Sequence, residues 1–265
     1  MTRSNFDLKE QVRAYWSARA ATFDNSPGHR IRTPREFAAY EQLIERHAPG
    51  IVGAEVLDAA SGTGEVTRLL RRLGCDVTGI DLSAKMVARA QLKHVNDNAV
   101  RFFQGDAEHL LMADARFDGV VCRNLLWTLT DPDLAFAEWF RVLRPGGTVV
   151  AFEGNWMRPD GVSRLLRRMA ILLGRKVETD LPDFTEILGQ LPFRDGLGPA
   201  ELRPRLIAAG FKEPQFVPVK PVTLAQISRA TWAERLSLLS YARGRFMMIA
   251  RRPSQAQQRH TTDAA

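Results

Sequence analysis

The residues of this chain best suited to chemistry are two acids, Asp58 and Asp81, with the glycines Gly62 and Gly64 between them. Glu55 to Leu57 reads as a short strand that ends in Asp58 and runs into a small-residue turn, EVLDAASGTGE. The amphipathic stretch Glu65 to Leu73 then opens a helix. Glycines in such a turn let a ligand approach the backbone, and the first N–H groups of a helix have no partner within it. Asp81 closes the next apolar run, CDVTGID. An acid about 20 residues beyond the turn can accept hydrogen bonds from ribose hydroxyls. The pattern suits an adenosine-containing cofactor.

The elements that position these residues alternate. Strands are expected at Glu55–Leu57, Asp76–Ile80, Val100–Gln104, Gly119–Cys122 and Thr148–Phe152, with helices near 63–73, 83–93 and 132–142. Such alternation with short connections predicts a parallel sheet covered on both faces. Residues 1–50 read as a helical N-terminal lid, with helices at Phe6–Phe23 and from Thr33-Pro34 to His47. The core is expected over 51–154, a cap insertion over 155–198, the end of the core sheet over 199–252 and a disordered polar tail over 253–265. A helix at 199–209 and strands at Gln215–Val219 and Arg245–Ala250 complete the sheet.

At 265 residues, 45% hydrophobic and 25% charged, the composition is that of an ordinary globular protein. No apolar run reaches the roughly 20 residues that span a bilayer, and the N-terminus lacks a secretory apolar core; stable membrane insertion is not expected, and the cytoplasm is the expected compartment. Cys75 and Cys122 read as buried thiols. The net charge of +7 is spread along the chain, with no nucleic-acid module and no interleaving of basic and aromatic residues, so a nucleic-acid partner is not expected. No His, Cys or carboxylate spacing suggests a metal site.

The turn alone does not name the cofactor. Nicotinamide-binding turns read G-x-G-x-x-G, whereas Gly62-Thr63-Gly64-Glu65-Val66-Thr67 lacks the third glycine. Taken together, D-x-x-x-G-x-G at 58–64, Asp81, Gly105-Asp106-Ala107, Arg123-Asn124, the run Arg141 to Gly147 and Gly210-Phe211 resemble class I S-adenosylmethionine-dependent methyltransferases of the small-molecule type. The resemblance covers residues 50–155 well and 199–252 moderately. Ala60 and Ser61 stand where the family often has glycine and cysteine.

The resemblance implies a Rossmann-like, seven-stranded, mostly parallel sheet whose last strand is antiparallel, with S-adenosyl-L-methionine across the carboxyl ends of the first strands. It implies that Ala60, Gly62 and Gly64 line the methionine and ribose side and that Asp58 orients the amino group. Asp81 would take the ribose hydroxyls, Leu82 and Met86 would flank the adenine, Asp106 and the Ala107 N–H would meet its edge, and Arg123 would face the sulfonium side. Asp81 and Asp106 could instead be helix caps. Tyr15 and Arg19 match the family's entry helix, where an aromatic covers the cofactor and an arginine meets its carboxylate; Tyr15 and Trp16 could equally be core residues.

For methyl transfer, alignment and exclusion of water supply much of the acceleration, and a base is needed only for a protonated acceptor. His29, Asn124 and Glu153 are the catalytic candidates, and Trp127, Asn155 and Trp156 the acceptor-binding ones. His94 and His109 read as helix-surface residues. The stripe Val162, Leu165, Leu166, Met169, Leu172 and Leu173 is expected to be buried beneath a solvated face of Arg164, Arg167, Arg168, Arg175 and Lys176. An entrance for an anionic acceptor, or an anionic membrane surface, is the alternative use of that basic helix. The expected reaction is methylation of an N, O or S atom of a small, secondary-metabolite acceptor. A quinone or lipid C- or O-methyltransferase at a membrane surface, a nicotinamide enzyme and a non-catalytic nucleotide binder are the alternatives. Oligomeric state is left open.

Overall fold

A computed structural model describes residues 5–26, 28–155, 160–174, 184–228, 230–242 and 244–256. Two helices come first, α1 (Asn5–Arg19) and α2 (Pro34–His47). Thr33 caps α2, its hydroxyl accepting from the Glu36 N–H at 3.2 Å, and Pro34 supplies a first-turn residue that needs no hydrogen-bond partner. There follow β1 (Glu55–Ala59), α3 (Glu65–Arg72), β2 (Asp76–Asp81), α4 (Ala84–Lys93), β3 (Val100–Gln104), β4 (Phe117–Arg123), α5 (Pro132–Val142) and β5 (Leu143–Gly154). The segment after β5 contains α6 (Gly161–Leu172) and α7 (Thr185–Leu188). The chain then runs through α8 (Pro199–Ala208), β6 (Lys212–Pro218), α9 (Lys220–Ile227), α10 (Trp232–Ala242) and β7 (Arg245–Arg251).

The strands form one seven-stranded sheet in the order β3-β2-β1-β4-β5-β7-β6. The pairs among β1 to β5 are parallel, and β7 runs antiparallel to both β5 and β6. Alternation along each strand divides the core into two layers. Val56, Val121 and Val150 face a layer with Tyr40, Ile44, Leu69 and Leu70 of α2 and α3. Leu57, Val120 and Val149 face Phe136, Trp139, Leu202 and Leu206 of α5 and α8. Central strands buried on both faces read as continuous apolar runs, which is why β1, β4 and β5 are recognisable in the sequence. Cys75 and Cys122 are buried free thiols. The helices α7, α9 and α10 are additions to the sequence reading.

One expectation is reversed. Val162, Leu165, Met169, Leu172 and Leu173 are exposed on α6, and the buried positions are Ser163 and Ala170. The helix packs on α10 through this small-residue face, and Arg167, one turn from each of them, stacks on Tyr241 at 4.4 Å. Periodicity locates the apolar stripe but does not say which face a neighbour occupies. Arg175, Lys176, Trp156 and the tail from 257 onward lie outside the described residues.

Candidate active site

A cavity of about 840 Å³ lies over the carboxyl ends of the strands and reaches from β2 and β3 to β7. Such crevices are where open α/β sheets bind ligands. Its floor is the glycine turn between β1 and α3. Ala60, Gly62 and Gly64 have φ of +58°, +54° and +84°, so three residues of this turn are left-handed, and one of them is not glycine. The turn is pinned from β2: the Asp81 carboxylate accepts the Gly62 N–H at 2.9 Å and the Ser83 N–H at 2.8 Å. Burial raises its pKa to about 6 against the pull of those two N–H groups.

Ala60, Gly62, Asp81, Leu82, Met86, Asp106 and Ala107 all line the cavity. Asp58 and Gly64 lie behind the turn. Asp58 is fully buried, its Oδ2 accepting from the Thr67 hydroxyl at 2.6 Å and its Oδ1 meeting no partner; burial lifts it to about 7. Gly64 backs onto His94, whose Nε2 donates to the Gly64 carbonyl at 3.1 Å, and a Cβ there would lie 3.0 Å from that nitrogen. His94 is thus a packing partner of the turn, not the helix-surface residue expected.

Asp106 is already engaged. Its Oδ2 pairs with Lys9 of α1 at 2.6 Å and its Oδ1 accepts the Glu108 N–H at 2.9 Å, while Lys9 also pairs with Glu108 at 2.7 Å. This bridge fastens α1 over the β3 end of the cavity. Two further ties hold the lid: Ser17 to Ser83 at 2.8 Å, and Asp24 to both Lys93 at 2.7 Å and the Thr63 hydroxyl at 2.6 Å. Arg19 lines the cavity and donates to Ser26 and Tyr15 hydroxyls. Tyr15 itself does not line it; it packs with Leu8, Val12, Ile187 and Leu191. The aromatic of α1 that faces the cavity is Trp16. One position along a helix turns a side chain by about 100°, so these neighbours point to different places.

At the β4 and β5 ends, Arg123, Asn124, Trp127, Glu153 and His29 meet. Asn124 has φ +59°, which turns the chain sharply out of β4. Arg123 donates to the carbonyls of Gly28 (3.5 Å) and His29. His29 Nδ1 donates to the Phe23 carbonyl at 3.0 Å, so in the neutral ring Nε2 keeps its lone pair. Burial, helped by the charges of Arg19 and Arg123, lowers His29 to about 4. Glu153 accepts the Leu125 and Leu126 N–H groups at 2.7 and 2.8 Å through Oε1; its Oε2 is buried without a partner, and burial raises the carboxyl to about 8. The Trp127 ring meets Trp16 and Phe184 edge-on at 6.0 and 5.5 Å, and its indole N–H is buried without a partner.

Asn155 does not join them. Its side chain sits against Gly196 and Gly244 and accepts the Leu197 N–H at 3.4 Å, bracing the segment that precedes α8. Trp156 is outside the described residues. Residues the sequence reading missed include Lys9, Trp16, Glu108, Arg167, Tyr241 and Arg245. None belongs to a spaced motif; Trp16 beside Tyr15 is one available signal, and Arg167 reads in the sequence as part of a solvated basic face, with an anionic-acceptor entrance as its alternative.

Residues 57–151 match the model of the methyltransferase domain family. A malonyl-[acyl-carrier protein] O-methyltransferase of Pectobacterium atrosepticum is 39% identical over 133 residues, 45% of this chain and 50% of that protein. A ubiquinone/menaquinone biosynthesis C-methyltransferase of Rubrivivax gelatinosus is 32% identical over 164 residues, 58% of this chain and 61% of that one. The chain thus spans about half to three-fifths of the length of these relatives. Among solved structures, the phosphoethanolamine N-methyltransferase 2 of Haemonchus contortus, crystallised with S-adenosylhomocysteine, superposes with a TM-score of 0.62 over 96% of this chain and 61% of its own, at 18% identity, and speaks for the fold. Residues 57–151 are thus similar to a methyltransferase domain, and the strand order and acid-flanked glycine turn agree with the class I S-adenosylmethionine-dependent methyltransferases that the sequence resembles.

Proposed function

We propose that this chain transfers the methyl group of S-adenosylmethionine to an N, O or S atom of a small, specialised-metabolite acceptor. The observation that carries the reading is the single cavity that joins the glycine turn and its acids to an aromatic and basic half over β4, β5 and β7. The residues present suit the cofactor. The orphaned Asp58 Oδ1 behind the turn suits an ammonium, directly or through water, and the turn itself contributes only the small residues Ala60 and Gly62 to the cavity. When bound, the cofactor supplies an electrophilic methyl group on a positively charged sulfur.

The chain's own residues would then bind, orient and exclude water. Asp81 would accept from the ribose hydroxyls, Leu82 and Met86 would sandwich the adenine, and Ala107 with Asp106 would meet its edge, Asp106 sharing its carboxylate with Lys9. Arg19 would meet the cofactor carboxylate and Trp16 would cover it, in the role the sequence assigned to Tyr15. His29 Nε2 is the group suited to take a proton from a protonated acceptor, because burial keeps the ring neutral. Glu153, raised to about 8, is a carboxylic acid at neutral pH and would act as a hydrogen-bond donor through Oε2.

Calorimetric titration of the chain with S-adenosylhomocysteine tests the cofactor; absence of binding sinks the proposal. A screen of acceptors with labelled cofactor tests transfer. A second reading, methylation of a quinone-type lipid at a membrane surface, is favoured by the exposed stripe on α6 beside Arg164 and Arg168, and by the quinone-pathway relative. Among the described residues no helix is long and apolar enough to cross a membrane. Co-sedimentation with anionic vesicles, lost on Leu165→Glu and Leu172→Glu substitution, would support that reading; no co-sedimentation would remove it.

A further inference from the structure

The cavity is polar in the electrical sense. Asp81, Asp106 and Glu108 stand at its β2–β3 end, where Lys9 offsets the last two. Arg123, Arg167 and Arg245 stand at the other, over β4 and β7. The hydrogen-bond acceptors of these three guanidinium groups are neutral, and the buried Asp58 carboxyl acts on Arg123 only through space. Arg123 donates to the Gly28 and His29 carbonyls. Arg245 donates to Gln226 Oε1 at 2.7 Å and more distantly, at 3.4 Å, to the hydroxyls of Thr223 and Tyr40. Arg167 lies over the Tyr241 ring, and its Nε is buried with no hydrogen-bond partner. Among the described residues none of the three forms an ion pair with a carboxylate. Among the described residues the one acid lining this end is Glu153, which is uncharged at neutral pH because burial raises it to about 8.

The walls between these cations are apolar: Phe152, Ile171, Val219, Leu238 and Phe246. Arg167 and Arg245, set against apolar walls with no counter-charge among the described residues, are costly unless something anionic arrives, and arginine forks are shaped for carboxylate or phosphate oxygens. Solvated surface arginines would need no such partner, but Arg167 projects inward from the small-residue face of α6 while Arg164 and Arg168 of the same helix are exposed.

We propose that the acceptor is amphiphilic and anionic, with a carboxylate or phosphate held by Arg167 and Arg245 at the β7 end and an apolar body lying along Phe152, Leu238 and Phe246 towards Trp127. This assignment rests on the methyltransferase reading and adds the class of its acceptor. It also gives α6 a use: Arg167 ties the segment after β5 to the bound acceptor.

The test uses the full chain saturated with S-adenosylhomocysteine, and three probes that share a phenyl body: 4-phenylbutyrate, phenyl phosphate and 4-phenylbutanol. Calorimetry or ligand-observed NMR should show one or both anions binding at least about tenfold more tightly than the alcohol, the scale of a charge-assisted contact. Which anion leads distinguishes a carboxylate acceptor from a phosphate one. Arg167→Gln and Arg245→Gln should each remove most of that preference while leaving S-adenosylhomocysteine affinity unchanged. Equal binding of the alcohol, no binding of either anion at millimolar concentration, or an anion preference that survives both substitutions would overturn the proposal. Failure of S-adenosylhomocysteine itself to bind would instead strike the methyltransferase reading.

Discussion

Asp81 offers the sharpest test of where the ribose lies. Its carboxylate is 8% exposed, lines the cavity and already accepts the Gly62 and Ser83 N–H groups, leaving lone pairs towards the cavity. Asp81→Asn keeps the shape and removes the charge. Losing a hydrogen bond to a charged group costs about 1.5–3 kcal/mol, so the Kd for S-adenosylhomocysteine should rise by roughly tenfold to a hundredfold or more. Part of that loss could come from a shifted turn, since the asparagine NH₂ cannot accept from a backbone N–H. A cycle with adenosine and 2′,3′-dideoxyadenosine isolates the direct contact. In the unaltered chain, loss of the hydroxyls should weaken binding; in Asp81→Asn the difference should shrink by at least about 1 kcal/mol.

The same site gives a pH signature. With a free-state pKa of about 6, Asp81 is mostly protonated at pH 5 and mostly ionised at pH 7. If hydroxyl donors require the carboxylate, affinity should improve about tenfold over that interval, and the part due to Asp81 should vanish in the asparagine variant. Equal affinity of both proteins for S-adenosylhomocysteine, with equal sensitivity to the missing hydroxyls, would refute this placement of the ribose.

Other consequences are independent of that site. Ala60 sits at φ +58°, which costs a non-glycine residue about 1 kcal/mol, so Ala60→Gly should raise the melting temperature by about 2–4 °C; a lower one would contradict the strain argument. The folded apo chain holds Asp58, Asp81 and Glu153 with raised pKa values of about 7, 6 and 8. It therefore binds more protons than the unfolded chain: their contribution to stability is full below the ordinary carboxylate range and is lost as pH rises through 6 to 8. Urea midpoints at pH 5, 7 and 9 should fall in that order, and less steeply in Glu153→Gln. Glu153→Gln should keep methyl transfer at pH 7 within a few-fold, because the amide can accept from Leu125 and Leu126 and donate where Oε2 stands; a thousandfold loss would make the carboxylate itself the base. Lys9→Met should speed limited proteolysis within α1 and S-adenosylhomocysteine release, since it removes the bridge to Asp106 and Glu108; unchanged rates would show that the other lid ties suffice.

Much of the sheet was legible before the structure because its central strands are continuous apolar runs and its turns carry glycine or proline. β3 matches its expected bounds, and β1, β2, β4 and β7 extend theirs by one to three residues. The stretch 220–244 was not, because α9 and α10 have weak amphipathic contrast, although Pro221 in the first turn of α9 and the reciprocal Thr231–Glu234 cap of α10 are start signals that the sequence carries. Of the expected site residues, Ala60, Gly62, Asp81, Leu82, Asp106, Ala107 and Arg123 line the cavity because each stands at or just beyond a strand's carboxyl end, and Met86 lines it from the first turn of α4. That position follows from sequence order once the strands are recognised. Asp58 and Gly64 lie one layer behind, and Asn155 braces a loop, differences that depend on side-chain direction within a few residues.

The sequence by itself determined the donor half of this protein: a strand, a glycine turn and an acid on the next strand form one local unit, so their spacing carries their geometry. It also determined that the cavity would lie at the carboxyl ends of the sheet. Only tertiary structure decided what faces that unit. Lys9 reaches Asp106 across 97 residues, and Arg167 and Arg245 come to one end of a cavity from a helix and a strand with no fixed spacing between them. The apolar stripe of α6 turned outward because a small-residue face met α10 first. Periodicity records that a helix has two faces; the neighbour that arrives chooses between them.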